Sequence, residues 1–124
     1  MAIDLKQYTY GWAIPPEQVS DALELLKRVA ALEKELGIEF RMTSGYRSKE
    51  HNAAVKGSPN SAHCVGKAID VADPDGKIKA KLRANKFALL VKFDLYMEDG
   101  SVATNWCHLT TRAPKSGKRE FIPV

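Results

Sequence analysis

Ser61-Ala62-His63-Cys64-Val65-Gly66-Lys67-Ala68-Ile69-Asp70 is the densest polar cluster in a chain of 124 residues. A histidine in a glycine-containing loop is followed seven positions later by an aspartate. Gly66 permits a sharp reversal. A strand is expected over about 67–72, with Ala68, Asp70 and Ala72 on one face and Ile69 and Val71 turned into the core. Ala68 keeps space open beside Asp70. A carboxylate flanked by such residues is costly to bury unless it is paired or ligates a metal. The third residue of interest is His108, in a short strand with Trp106 on its own face and Cys107 and Leu109 on the other. Two imidazoles and one carboxylate form a ligand set that zinc accepts while keeping a position for water. Spacing alone leaves a structural histidine and a surface aspartate open as the alternative.

Working outward, a helix begins at Pro15-Pro16, where proline suits the first turn. Val19, Ala22, Leu23, Leu26, Val29, Ala30 and Leu36 follow helical spacing, and Gly37 stands where a C-terminal glycine cap belongs. Ile38, Phe40 and Met42 alternate with Glu39, Arg41 and Thr43, the pattern of a half-buried strand. Ser48 is placed to cap a short helix running to about Val55. After Asp73-Pro74-Asp75-Gly76, a basic helix is expected from about Lys77 to Val91, with Ile78, Leu82, Ala88 and Leu89 facing the core. Phe93–Glu98 and Asn105–Thr110 read as two late strands around a loop. The order predicts an α+β fold with a small antiparallel sheet and helices packed on one side.

Composition bounds the function. At 124 residues the chain is expected to be one domain, 1–124, with a lead-in over 1–15 and a basic extended tail over 111–124. There is no apolar run long enough for a membrane span, and the N-terminus has no secretory pattern. The net charge of +4 conceals +6 between Gly76 and Lys92, +3 between Arg112 and Val124, and −5 elsewhere. Such a basic run is usually a solvated helix face. Nucleic-acid binding is disfavoured, because no aromatic platform or recognisable motif accompanies the charge. Cys64 and Cys107 are expected to be buried free thiols. Tyr8, Tyr10 and Trp12 are expected to pack in the core or under a lid.

Thr43-Ser44-Gly45-Tyr46-Arg47-Ser48, then His51-Asn52, Gly57, the Ser61–Asp70 segment and Trp106-Cys107-His108-Leu109 follow one another in an order that resembles the zinc peptidases. That family includes D-alanyl-D-alanine carboxypeptidases and phage endolysins, and the resemblance is to its small phage and prophage members. The family pattern Ser-x-His-x-x-Gly-x-Ala-x-Asp with a later Trp-x-His is met at Ser61, His63, Gly66, Ala68, Asp70, Trp106 and His108. The resemblance implies the hedgehog/D-Ala-D-Ala-peptidase-like fold and one catalytic zinc on His63, Asp70 and His108. It implies hydrolysis of a peptide bond in peptidoglycan stem peptides, and a holin-type partner or virion delivery for a chain made in the cytoplasm to reach the wall.

By the same match Arg47 points into the cleft, to hold a substrate carboxylate or a developing oxyanion, with a structural salt bridge as the alternative. Ser61 either contacts substrate, orients His63 or stabilises its own turn. Trp106 either stacks on substrate or packs. His51 is expected on a helix surface or behind the ligands. The family's usual base, an acid three residues before the last ligand or a histidine two before, is replaced by Asn105 and Trp106. Glu98 becomes the base candidate, because antiparallel pairing of the late strands would bring it across from His108. The alternative is a catalytically inactive zinc-binding module of a phage particle.

Overall fold

The protein is described by a computed structural model covering residues 3–57, 60–100 and 103–122. Helix α1 (Leu5–Tyr8) is capped by the Asp4 carboxylate, which accepts from Gln7 N at 2.7 Å. Helix α2 (Pro16–Leu36) starts on proline and stops at Gly37, whose φ of +66° gives the left-handed C-cap. Its inner face is Ala22, Leu25, Leu26, Val29 and Leu32. Leu23, expected inside, is about half exposed, and Leu25 takes its place.

Strand β1 (Met42–Ser44) is shorter than the alternation from Ile38 suggested. Ile38, Phe40 and Met42 still face inward, in extended chain that joins the ladder only at Met42. Helix α3 (Lys49–Ala54) is capped by Ser48, whose hydroxyl accepts from His51 N. A 3₁₀ turn (Ala62–Val65) leads into β2 (Ala68–Ala72). Helix α4 (Lys77–Phe93), β3 (Tyr96–Glu98), β4 (Trp106–Thr110) and β5 (Glu120–Phe121) complete the order.

The sheet runs β1-β2-β4-β3-β5. It is mixed, not wholly antiparallel as expected, because β5 from the tail lies parallel to β3. Ile69, Val71, Cys107, Leu109 and Met97 occupy one face and join α2 and α4 in a single core. The opposite face carries Asp70 and His108, paired across β2 and β4. The expected helices-on-one-side arrangement therefore leaves the polar face of the sheet for a site.

Helix α4 departs from the regular helix expected. Ala84 is extended, and Asn85, Lys86 and Phe87 take φ of +55°, +56° and +61°, a left-handed break inside the element. Ile78 and Leu82 are buried before the break as expected. After it the phase changes, so Leu90 is buried, Leu89 is half-buried and Ala88 is exposed. The first half is anchored by Asp73, a buried carboxylate directly after β2 that accepts from Ile78 N and Lys79 N at 2.9 and 3.0 Å. These bonds satisfy orphan N–H groups of the helix start.

Candidate metal centre

Residues 61–66 deliver His63 to the sheet. Ser61 Oγ accepts from His63 N at 3.2 Å and so caps the 3₁₀ turn. Gly66 closes the turn at φ +76°, and a Cβ there would stand 2.9 Å from Gln18 O of α2. Only glycine meets both conditions. His63 Nδ1 then bonds Gly45 O at 2.8 Å. The carbonyl partner accepts a hydrogen bond from Nδ1, so a neutral His63 would present the Nε2 lone pair to a metal, whereas a protonated one donates from Nε2 to Asp70. Gly45 is itself held close: a Cβ would collide with the Tyr8 carbonyl.

Asp70 and His108 face each other across β2 and β4. His108 Nδ1 lies 2.8 Å from Asp70 Oδ1, and His63 Nε2 lies 3.3 Å from Asp70 Oδ2. The two imidazole rings meet edge to face, 5.2 Å between centroids. All three side chains are buried, and one ligand atom from each lies within 4.8 Å of the others. Burial alone would push the Asp70 carboxyl up; the hydrogen bonds and charge of His108 and His63 outweigh it and hold the group well below the usual carboxylate range. The donor chemistry fits a metal: an ionised carboxylate with two convergent imidazole nitrogens, one of them on a ring whose other nitrogen is held by a carbonyl.

Two charged groups flank the trio. Arg47 NH2 stands 3.8 Å from Asp70 Oδ2, and its guanidinium is steadied by Ser44 Oγ and by Asn52 Oδ1, each at 3.3 Å. Glu98 Oε1 lies 3.5 Å from His108 Nε2, on the side of the ring away from Asp70. Register explains its arrival: Tyr96 pairs with Thr110 and Met97 with Leu109, so the next step sets Glu98 opposite His108. A cation and an acid thus stand at opposite margins of the trio.

The remaining expectations divide. Trp106 is half-buried, two residues before His108 on the same strand. His51 is exposed on α3 and outside the trio. Cys64 and Cys107 are buried and free, and burial raises both thiols above their usual range. Sequence reasoning missed Ser44, Asn52 and the Gly45 carbonyl, all of which orient the site. Ser44 and Gly45 sit in the quoted motif, but their partners are distant in sequence.

A family model described as peptidase M15 matches residues 1–109. The chain belongs to the peptidase M15 family. No curated protein and no solved structure matches it. Peptidase M15 membership agrees with the α+β fold and makes the His63–Asp70–His108 cluster a candidate zinc site in a peptidase of the cell-wall type. No helix among the described residues is long and apolar enough to cross a membrane.

Proposed function

We propose that the protein is a zinc peptidase hydrolysing a peptide bond in peptidoglycan stem peptides, as a carboxypeptidase or an endolysin-type endopeptidase, with His63, Asp70 and His108 as the metal ligands. The observation that carries this reading is the convergence of His63 Nε2 and His108 Nδ1 on the two Asp70 oxygens. Zinc held there supplies Lewis acidity, polarising the scissile carbonyl and making a water acidic enough to attack near neutral pH.

The chain's own residues supply the rest. Glu98 takes the proton of the attacking water on Oε and returns it to the leaving amine. Arg47, across the trio, holds the substrate carboxylate or the oxyanion that develops on the acyl side. Gly45 O keeps the His63 ring oriented throughout. Trp106 supplies an apolar wall beside His108. Ser61 serves His63 through the backbone of the turn it caps.

A second reading, a zinc-binding module of a phage particle without activity, is favoured by Asn105 and Trp106 standing where an acid or histidine base is usual. The Glu98→Gln variant separates the two. The enzyme reading expects cleavage of defined muropeptides to fall by about 10²–10⁴-fold while zinc content stays at one per chain. A wild-type protein that binds zinc yet cleaves no muropeptide supports the second reading. A protein that binds no zinc defeats both.

A further inference from the structure

Tyr8, Tyr10 and Trp12 separate in the structure. Tyr8 is wholly buried, whereas Tyr10 and Trp12 are 56% and 63% exposed, so of the core or lid packing expected for the group, core packing holds for Tyr8 alone. The turn after α1 presents them outward. Tyr10 and Gly11 take φ of +56° and +80°, and Gly11 N and Trp12 N bond back to Lys6 O and Thr9 O. With Thr9, Tyr46, Ser48 and His51 they line a pocket of about 390 Å³. None of the metal-centre residues is among these six.

The pocket and the metal centre share one piece of chain. Tyr46 and Ser48 face the pocket, while Arg47 between them turns to Asp70. Gly45 N donates to Tyr10 Oη at 2.9 Å, and Gly45 O accepts from His63 Nδ1. One substrate carrying two kinds of group can therefore engage both sides of this segment.

We propose that the pocket is a saccharide subsite, taking a pyranose ring of the glycan strand to which the stem peptide is attached. The inference rests on the cell-wall reading of the metal centre. Three aromatic rings offer flat apolar faces for the C–H face of a sugar. Tyr10 and Ser48 each accept a backbone N–H, from Gly45 and His51, so each keeps a hydroxyl proton to donate. None of the described lining residues is an acid, lysine or arginine, which suits a neutral ligand. A stem-peptide carboxylate finds its charged partner at Arg47 instead.

The test titrates the full chain with zinc present against an N-acetylglucosamine–N-acetylmuramic acid tetrasaccharide whose lactyl carboxyls are capped as simple amides, as the stem peptide caps them in the wall. Calorimetry gives affinity and the Trp12 indole resonance gives location. Saturable binding that shifts this resonance is expected, weakened about tenfold in Trp12→Ala and restored in large part by Trp12→Phe. Zinc-dependent muropeptide cleavage is measured separately, so failure of the subsite and failure of the peptidase reading are distinguishable. Absence of saccharide binding, an unmoved indole resonance, equal affinity in Trp12→Ala, or a free stem peptide shifting that resonance in place of the sugar overturns the proposal.

Discussion

Tyr8 is the residue on which most of the site's surroundings converge. Its hydroxyl donates to Ala68 O at 2.7 Å, its carbonyl receives Tyr46 N, and its side chain is fully buried. Burial pushes the phenol well above its usual range. The folded protein then keeps a proton that the unfolded chain releases, so stability is intact below about pH 10 and declines as pH rises above it. Tyr8→Phe is expected to cost about 1 kcal/mol near neutrality, since Ala68 O loses its donor. Above pH 10 its stability should fall less steeply than wild type, by up to about 1.4 kcal/mol per pH unit. Denaturant melts of both proteins at pH 8 and 10.5 check this; parallel pH dependences would refute the assignment to Tyr8. None of this was legible in the sequence, where the three aromatic residues before α2 looked alike. Their separation comes from a turn with two consecutive positive φ angles, which no local pattern announced. The proposed ligand trio was legible through the family pattern that Ser61–Asp70 and Trp106–His108 match, because spacing alone left a structural histidine and a surface aspartate open. Glu98 was legible only through the register of two strands.

At the scale of elements, α2 was readable because proline starts it and glycine stops it, both for local steric reasons. The break in α4 was not readable, because Ala84-Asn85-Lys86-Phe87 contains no proline or glycine and the periodicity was extended straight through it. Left-handed backbone costs an ordinary residue about 1–2 kcal/mol, so the break supplies its own test. Lys86→Gly should be neutral or stabilising by up to about 1 kcal/mol, the strain relieved exceeding the unfolded-state entropy added. Lys81→Gly, in regular helix on the same element, should destabilise by about 1 kcal/mol. Thermal melts of the two variants should therefore move apart, and equal losses would argue for a continuous helix. Lys79 shows why the break is tolerated. Its ammonium is buried and donates to the carbonyls of Ala103, Thr104 and Trp106, fixing the first half of α4 to the approach of β4 whatever the second half does.

For the whole molecule, the concentrated charge is largely the solvated face expected, with one residue turned inward. Of the six basic residues between Gly76 and Lys92, Lys79 is buried, Arg83 bridges Glu120 at 2.6 Å and Lys92 reaches Glu35 at 2.5 Å. Lys77, Lys81 and Lys86 stay exposed. Lys79 alone of the six is internal, while Arg83 and Lys92 are paired at the surface. The candidate metal centre belongs to the same scale, because His63, Asp70 and His108 come from the 3₁₀ turn, β2 and β4 and assemble only in the folded chain. Zinc at a thousandfold its dissociation constant should stabilise the protein by about 4 kcal/mol, and a chelator should reverse this. Asp70→Asn should abolish the zinc-dependent rise in melting temperature. A melting temperature indifferent to both zinc and chelator would count against the site.

The tail lies beyond the residues that the family model matches, yet it finishes the sheet. Met97 N donates to Arg119 O and Asp99 N to Phe121 O, each at 2.7 Å, and Arg83 clasps Glu120 from α4 with two hydrogen bonds. Without β5, the outer backbone of β3 would offer these donors to any passing strand, one residue from Glu98. Bare edges of this kind template the joining of one chain to the next. Two residues of strand and one arginine therefore cover this edge, and shortening the chain at this end should leave β3 open to pairing with a strand of a second copy.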